Sequence, residues 1–131
     1  QDSKNADVKL KLNTMNTRVM ADEDQLHRAI GNLIRNAMQA VPDEKKAEID
    51  ITSEYDRAEH ILIKIQDNGS GIPKESRDKI FIPNFSTKSS GMGLGLAIVA
   101  RIIKNANGKI WFDTKENQGT TFYISLPRVT K

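Results

Sequence analysis

The 131-residue chain contains no cysteine. That rules out a disulfide framework, a thiolate metal site and a cysteine nucleophile, and it fits a reducing compartment such as the cytoplasm. Histidine is scarce, with 2 residues, and neither His27 nor His60 has a carboxylate, serine or second histidine at a catalytic or metal-binding spacing. No apolar run approaches the roughly 20 residues of a membrane span, and no signal-peptide pattern is visible, so no direct membrane contact is expected of this domain. A surplus of one charge is also missing. The net charge is +3, from 20 basic and 17 acidic residues interspersed along the chain. This reads as a solvated surface rather than a nucleic-acid footprint. There is no internal repeat, no low-complexity segment and no second domain. What remains is 37% hydrophobic and 28% charged residues, a balance suited to one globular domain, 1–131, with a single core. It opens at Gln1-Asp2-Ser3-Lys4-Asn5 rather than at methionine, as a piece of a longer protein does.

The pattern of apolar residues sets out the elements. Val8-Lys9-Leu10-Lys11-Leu12 alternates as a half-buried strand does. Asp22-Glu23-Asp24-Gln25 has the form of a capping box, and a helix follows to about Ala40, where Pro42 stops it. Leu26, Ile30, Leu33, Ile34, Ala37 and Val41 form its apolar stripe, while Asn32 and Asn36 share another face. Ile49 and Ile51, then Ile61, Ile63 and Ile65, mark two alternating strands around a polar loop. Pro73 opens a short helix over 73–81, and 83–90 is loop. A further helix is expected over 94–107, ending at Asn107-Gly108, with a closing strand pair over 109–114 and 121–126. This order is not βαβ alternation. It predicts an α+β fold with a mixed, mostly antiparallel sheet and helices layered on one face.

Three short runs carry the chemistry. In Asn32-Leu33-Ile34-Arg35-Asn36-Ala37, the Asn36 amide oxygen is suited to complete a Mg²⁺ shell rich in phosphate and water oxygens. A solvated asparagine on a helix face is the other reading. In Asp67-Asn68-Gly69-Ser70-Gly71-Ile72, a carboxylate at a strand end can accept from the exocyclic amine of adenine, and Gly69 and Gly71 let the backbone come close to a base. Plain turn chemistry explains the same residues. In Gly91-Met92-Gly93-Leu94-Gly95-Leu96, glycines at a helix start free N–H groups to face phosphate. A flexible hinge is the alternative. The spacing excludes a dinucleotide fingerprint, and the absence of a following Gly-Lys-Ser/Thr excludes a P-loop. Lys88, Lys79 and Arg77 are placed to approach a terminal phosphate, or else face solvent. Phe81 and Phe85 read as loop anchors more than as base-stacking rings.

In their order and context these runs resemble the ATP-binding catalytic domain of two-component sensor histidine kinases, in the superfamily shared with gyrase, the heat-shock chaperone of the same fold and MutL. Asn32…Asn36 matches the N box, Asp67-x-Gly69-x-Gly71 the first glycine box, Phe81-x-x-x-Phe85 the F box and Gly91-x-Gly93-x-Gly95 the second glycine box. The likeness extends from Asp22 to Leu126-Pro127. It implies a two-layer α/β sandwich of the Bergerat type, with about three helices on one face. It implies ATP and Mg²⁺ as ligands, with Asn36 on the metal, Asp67 reading adenine and Thr120 supporting that contact. Ile72, Phe81, Gly91, Gly93, Leu94 and Gly95 join Gly69 and Gly71 around the nucleotide, and 81–90 is the ATP lid. Asn32, Lys88 and Lys79 take the catalytic positions.

One residue discriminates within the superfamily. Its ATPases carry a glutamate base where this chain has Asn32, and an amide cannot take a proton. A histidine acceptor needs less help, because neutral imidazole is already nucleophilic near pH 7. The resemblance therefore implies γ-phosphate transfer to a histidine on a separate dimerising helical hairpin, with a response regulator downstream. A conformational ATPase module and an inactive nucleotide-binding regulator are the alternatives. Two departures stand out. Gln39 and Ala40 replace the Lys and aromatic that many members carry, and only Ser89 and Ser90 separate Lys88 from Gly91. The compact lid looks most like the nitrogen-regulation type of sensor kinase.

Overall fold

A computed structural model describes residues 6–12, 22–55, 60–83 and 95–127. The elements are β1 (Ala6–Leu12), α1 (Glu23–Ala40), β2 (Ala47–Tyr55), β3 (His60–Gln66), a 3₁₀ turn (Lys74–Ser76), α2 (Gly95–Asn105), β4 (Lys109–Lys115) and β5 (Gly119–Pro127). They form one five-stranded sheet in the order β1-β2-β3-β5-β4. β1 runs parallel to β2, with Val8 opposite Ile49, and every other pairing is antiparallel. This is the mixed, mostly antiparallel sheet that the order of elements predicts.

α1 starts where its cap dictates. Asp22 Oδ1 accepts from the N–H groups of Asp24 and Gln25 at 2.9 and 3.1 Å, satisfying two donors that have no partner inside the helix. The helix ends at Ala40, two residues before Pro42. α2 ends with Asn107 in the left-handed region at φ 63, and the Gly108 N–H returns to the Ile103 carbonyl at 2.9 Å. This closes the helix as a Schellman turn does.

α1 and α2 pack on each other and on one face of the sheet. Ala29, Leu33 and Ala37 of α1 meet Val99, Ile102 and Ile103 of α2 over Ile49, Ile51, Ile65, Phe122, Ile124 and Leu126. Strand alternation selects these residues: in β5, Phe122, Ile124 and Leu126 point inward while Thr121 and Tyr123 point out. Each fully buried Leu, Ile or Phe contributes about 1.5–3 kcal/mol. Ala29, outside the expected stripe, lies at its centre, whereas Leu26, Ile30 and Ile34 flank the core. On the outer face Trp111 stacks on Tyr123 with ring centroids 5.4 Å apart.

The helix predicted over 73–81 is instead a single 3₁₀ turn followed by further turns. Its bonds run three residues back, from Ser76 to Pro73, Arg77 to Lys74, Lys79 to Ser76 and Ile82 to Lys79. A run this short has only Ile80 and Phe81 to anchor it, too little apolar surface to support α-helical turns. Among the described residues two α-helices and this turn stand where the three helices were expected. Among the described residues no helix is long and apolar enough to cross a membrane.

Candidate functional site

The site gathers at the end of the sheet where β3 leaves, β5 begins and β4 finishes. Asp67 follows β3 directly and is 3% exposed. Its Oδ1 accepts from the Gly69 N–H at 2.8 Å and the Thr120 N–H at 3.2 Å, and its own N–H donates to the Thr120 carbonyl at 2.8 Å. The Gly69 bond is the Asx turn that turn chemistry predicts, and the Thr120 bonds add a tie to the start of β5. Thr120 is likewise buried.

From Asp67 the chain threads between α1 and the β4–β5 turn. Ser70 donates to the Ala40 carbonyl at the end of α1, while its own carbonyl accepts from Asn117 at 2.7 Å. Gly69 has no room for a side chain, because a Cβ would lie 2.6 Å from the Ala40 oxygen. Gly71 has φ +81, and a Cβ there would lie 2.6 Å from the Lys115 oxygen. At both glycines close approach to protein already leaves no room for a side chain. Asn68 fastens the outer edge of the loop: Oδ1 accepts from Glu48, Nδ2 donates to the Lys46 carbonyl, and its carbonyl accepts from Lys45 Nζ.

Ile72 is held at both backbone atoms. Its N–H donates to Thr114 Oγ1 at 2.9 Å, and its carbonyl accepts from Arg77 Nε at 3.0 Å. Arg77 is thereby tied to the loop through Nε. Thr114 Oγ1 also lies 2.8 Å from Thr120 Oγ1 and 3.3 Å from the Gly119 carbonyl. Sequence reading missed Thr114. The available signal was its place at the end of the inward-facing series Ile110, Phe112, Thr114, directly opposite Thr120.

The two asparagines of α1 differ. Asn32 is buried, donates from Nδ2 to the Gly95 carbonyl at 3.5 Å and accepts from Arg35. It ties α1 to the first residue of α2. Asn36 is half-buried and has no hydrogen-bond partner among the described residues. It sits one turn before Ala40, the residue that receives Ser70, so its amide lies on the helix turn leading to the Asp67 loop. No cluster of three or more acidic or histidine residues suited to a metal exists among the described residues. An ion held at Asn36 would draw its other ligands from phosphate and water.

Phe81, placed among the nucleotide residues by resemblance, makes edge contacts with Phe112 and Phe122 at 6.1 and 6.3 Å. That is the loop-anchoring role. Lys79 is exposed on the turn after the 3₁₀ segment. Lys88, Gly91, Gly93 and Leu94, together with Phe85, lie outside the described residues. His27 is exposed on α1 and His60 begins β3. A depression of about 430 Å³ opens at the site end of the sheet, lined by Asp67, Thr114, Gly119 and Thr120 and also by outer-face residues such as Gln66 and Asp113. A second, of about 280 Å³, lies between α1 and α2 beside Arg28 and Arg101.

An open sheet covered on one face by two helices, with a buried carboxylate at a strand end and a glycine loop beside it, is an α+β domain of the two-layer type. Residues 21–130 match the histidine kinase-, DNA gyrase B-, and HSP90-like ATPase family, and the chain belongs to it. Among proteins of similar sequence, the sensor histidine kinase ZraS of Salmonella typhimurium is 32% identical over all of this chain, which spans 28% of ZraS. Sporulation kinase A of Bacillus subtilis is 38% identical over 84% of this chain, which covers 18% of that kinase. The chain therefore spans under a third of the length of these relatives. Among solved structures, the catalytic domain of histidine kinase ThkA superposes with a TM-score of 0.79 at 36% identity, covering 93% of this chain and 78% of that one. The mycobacterial sensor histidine kinase MprB gives 0.83 at 26% identity, covering 96% and 84%.

Proposed function

We propose that this domain binds ATP with Mg²⁺ and presents the γ-phosphate to a histidine on a separate helical dimerisation domain, as the kinase step of two-component signalling in the cytoplasm. The observation that carries this reading is the buried Asp67 carboxylate, its plane set by the N–H groups of Gly69 and Thr120. A carboxylate fixed in this way is a rigid acceptor suited to the exocyclic amine of adenine. The sensor-kinase names of the relatives support the same assignment.

Asn36 would hold the metal, which neutralises phosphate charge when bound with ATP. Asn32 offers no basic atom and is engaged with Gly95 and Arg35, so a water molecule finds no activating group there. A neutral imidazole needs none, and positioning of donor and acceptor supplies most of the rate. Lys79 and Lys88 serve the transferred phosphate electrostatically. The phosphorylated hairpin then passes its phosphate to a response regulator. Nucleic acid and membrane have no direct part.

Calorimetric titration with a non-hydrolysable ATP analogue, with and without Mg²⁺, tests the reading. Saturable, metal-dependent binding is expected. Absence of heat under both conditions refutes it.

A further inference from the structure

We propose that the outer edge of β4 is a self-recognition strand: two copies of this chain pair antiparallel through it about a twofold axis at Trp111, each Lys109 facing Asp113 of the other copy. The inference goes beyond the nucleotide-binding reading and stands without it.

β4 ends the sheet order, and among the described residues no strand lies on its outer side. Its main-chain donors and acceptors on that side form a template for one more strand. The side chains on the face without helices point the same way. Lys64 Nζ stands 6.0 Å from the Tyr123 ring centroid, and Tyr123 stacks on Trp111. In register, Lys64 is opposite Tyr123 and Tyr123 is opposite Trp111. This row crosses three strands and stops at Trp111, which is 42% exposed beside the free edge. An aromatic side chain on an adjoining strand would continue the row, and cross-strand aromatic pairs favour pairing.

Charge names the occupant. Charged residues on an edge strand ordinarily discourage pairing. Those of β4 discourage every symmetric register except one. With Trp111 opposite Trp111 of the second copy, Lys109 stands opposite Asp113 at both ends, and on the inner face Ile110 meets Phe112. Sliding the second copy by two residues one way sets Lys109 against Lys115, and by four sets Asp113 against itself. Sliding it the other way sets Lys109 against Trp111 and then against itself. A slip of one residue puts Trp111 opposite Phe112, which belongs to the inner face. Both members of the matched pair are exposed and available. Lys109 has no hydrogen-bond or ion-pair partner among the described residues, and Asp113 is engaged only at Oδ2, by the Tyr123 hydroxyl. An interface this small is weak, with a Kd on the order of 0.1–1 mM. Two copies held on one dimerisation domain, as proposed above, would meet at about millimolar effective concentration, which suits a contact of that strength.

Sedimentation equilibrium at concentrations up to about 1 mM tests the pairing. It is read together with the emission of Trp111, the sole tryptophan of the chain. The unmodified chain is expected to gain mass towards the dimer, with a blue shift as Trp111 leaves water. Lys109→Asp and Asp113→Lys each set like charges opposite at both ends, and each alone should weaken association by roughly tenfold or more. Circular dichroism checks that both variants are folded. An equimolar mixture of the two should associate again, because reversed charge then faces reversed charge and native faces native. A chain that stays monomeric throughout overturns the inference and leaves the edge to a different extended partner. Unchanged association in either single variant, or no recovery in the mixture of folded variants, overturns it as well.

Discussion

Alanine at position 119 would set its Cβ 2.0 Å from the Asp67 carbonyl oxygen, at a backbone φ of +132. Carbon–oxygen contacts settle near about 3.3 Å, so the β4–β5 turn and the end of β3 must part by more than about 1 Å. That separation strikes the site directly. It stretches the Asp67 N–H to Thr120 carbonyl bond of 2.8 Å and the Thr120 N–H to Asp67 Oδ1 bond of 3.2 Å. One neutral and one charge-assisted bond, together with the strained φ, bring the expected loss to about 4 kcal/mol. A domain of this size has about 5–15 kcal/mol in all, so the variant is left marginal. Gly31→Ala is the matched control. Its Cβ would meet nothing nearer than Arg35 Nη1 at 4.0 Å, in the interior of α1. There the same change should stabilise by about 0.8–1 kcal/mol. Urea denaturation followed by circular dichroism measures both, with the slope checked for constancy. A loss below about 1 kcal/mol for Gly119→Ala, or the same sign for both variants, refutes the close approach of Gly119 to Asp67.

Asn36→Ala is expected to abolish the Mg²⁺-dependent part of ATP binding while His27→Ala leaves it intact; normal metal dependence in the first variant would remove Asn36 from the site. Asp67→Asn should lower the preference for ATP over GTP by roughly tenfold or more, and unchanged selectivity would show that adenine is read elsewhere. Tyr123 should ionise above the ordinary 10.0, because burial opposes the phenolate and Asp113 accepts its proton at 3.2 Å and repels the anion. A raised folded-state value means that this contribution is complete below the unfolded value and fades as pH climbs past it towards the folded one. Asp113→Asn should bring the midpoint of phenolate absorbance down; an unmoved midpoint contradicts the contact.

Local pattern made much of the fold legible. Asp22 capped α1, Pro42 followed its end, and the isoleucines at 49, 51, 61, 63 and 65 marked two paired strands. These signals act within one or two turns of helix or along one strand, so they survive in sequence. Contacts across the chain do not. The Ile72–Thr114 bond joins residues 42 apart and the Asn32–Gly95 bond joins residues 63 apart, and neither leaves a periodic trace. Asp67 and Thr120 were named through family likeness, but the backbone bonds that hold them together belong to tertiary structure. The glycines were read through a ligand, and their close packing against Ala40 and Lys115 is a tertiary contact that the sequence pattern does not carry. The short helix failed for a related reason. Proline announces a start, but the apolar surface needed to continue was missing.

The link between Asn32 and the Gly95 carbonyl bears on how this pocket could change its chemistry over evolutionary time. A single substitution to glutamate would supply the base that the superfamily's ATPases use, yet it would place a carboxylate against a carbonyl oxygen with no proton between them. Arg35, which now donates to Asn32, would clasp the new carboxylate and depress its basicity. A glutamate at position 32 would therefore meet two neighbours that both oppose its use as a base. Relief would come from reshaping the opening turn of α2 or from losing Arg35, so the character of residue 32 is bound to two partners at once.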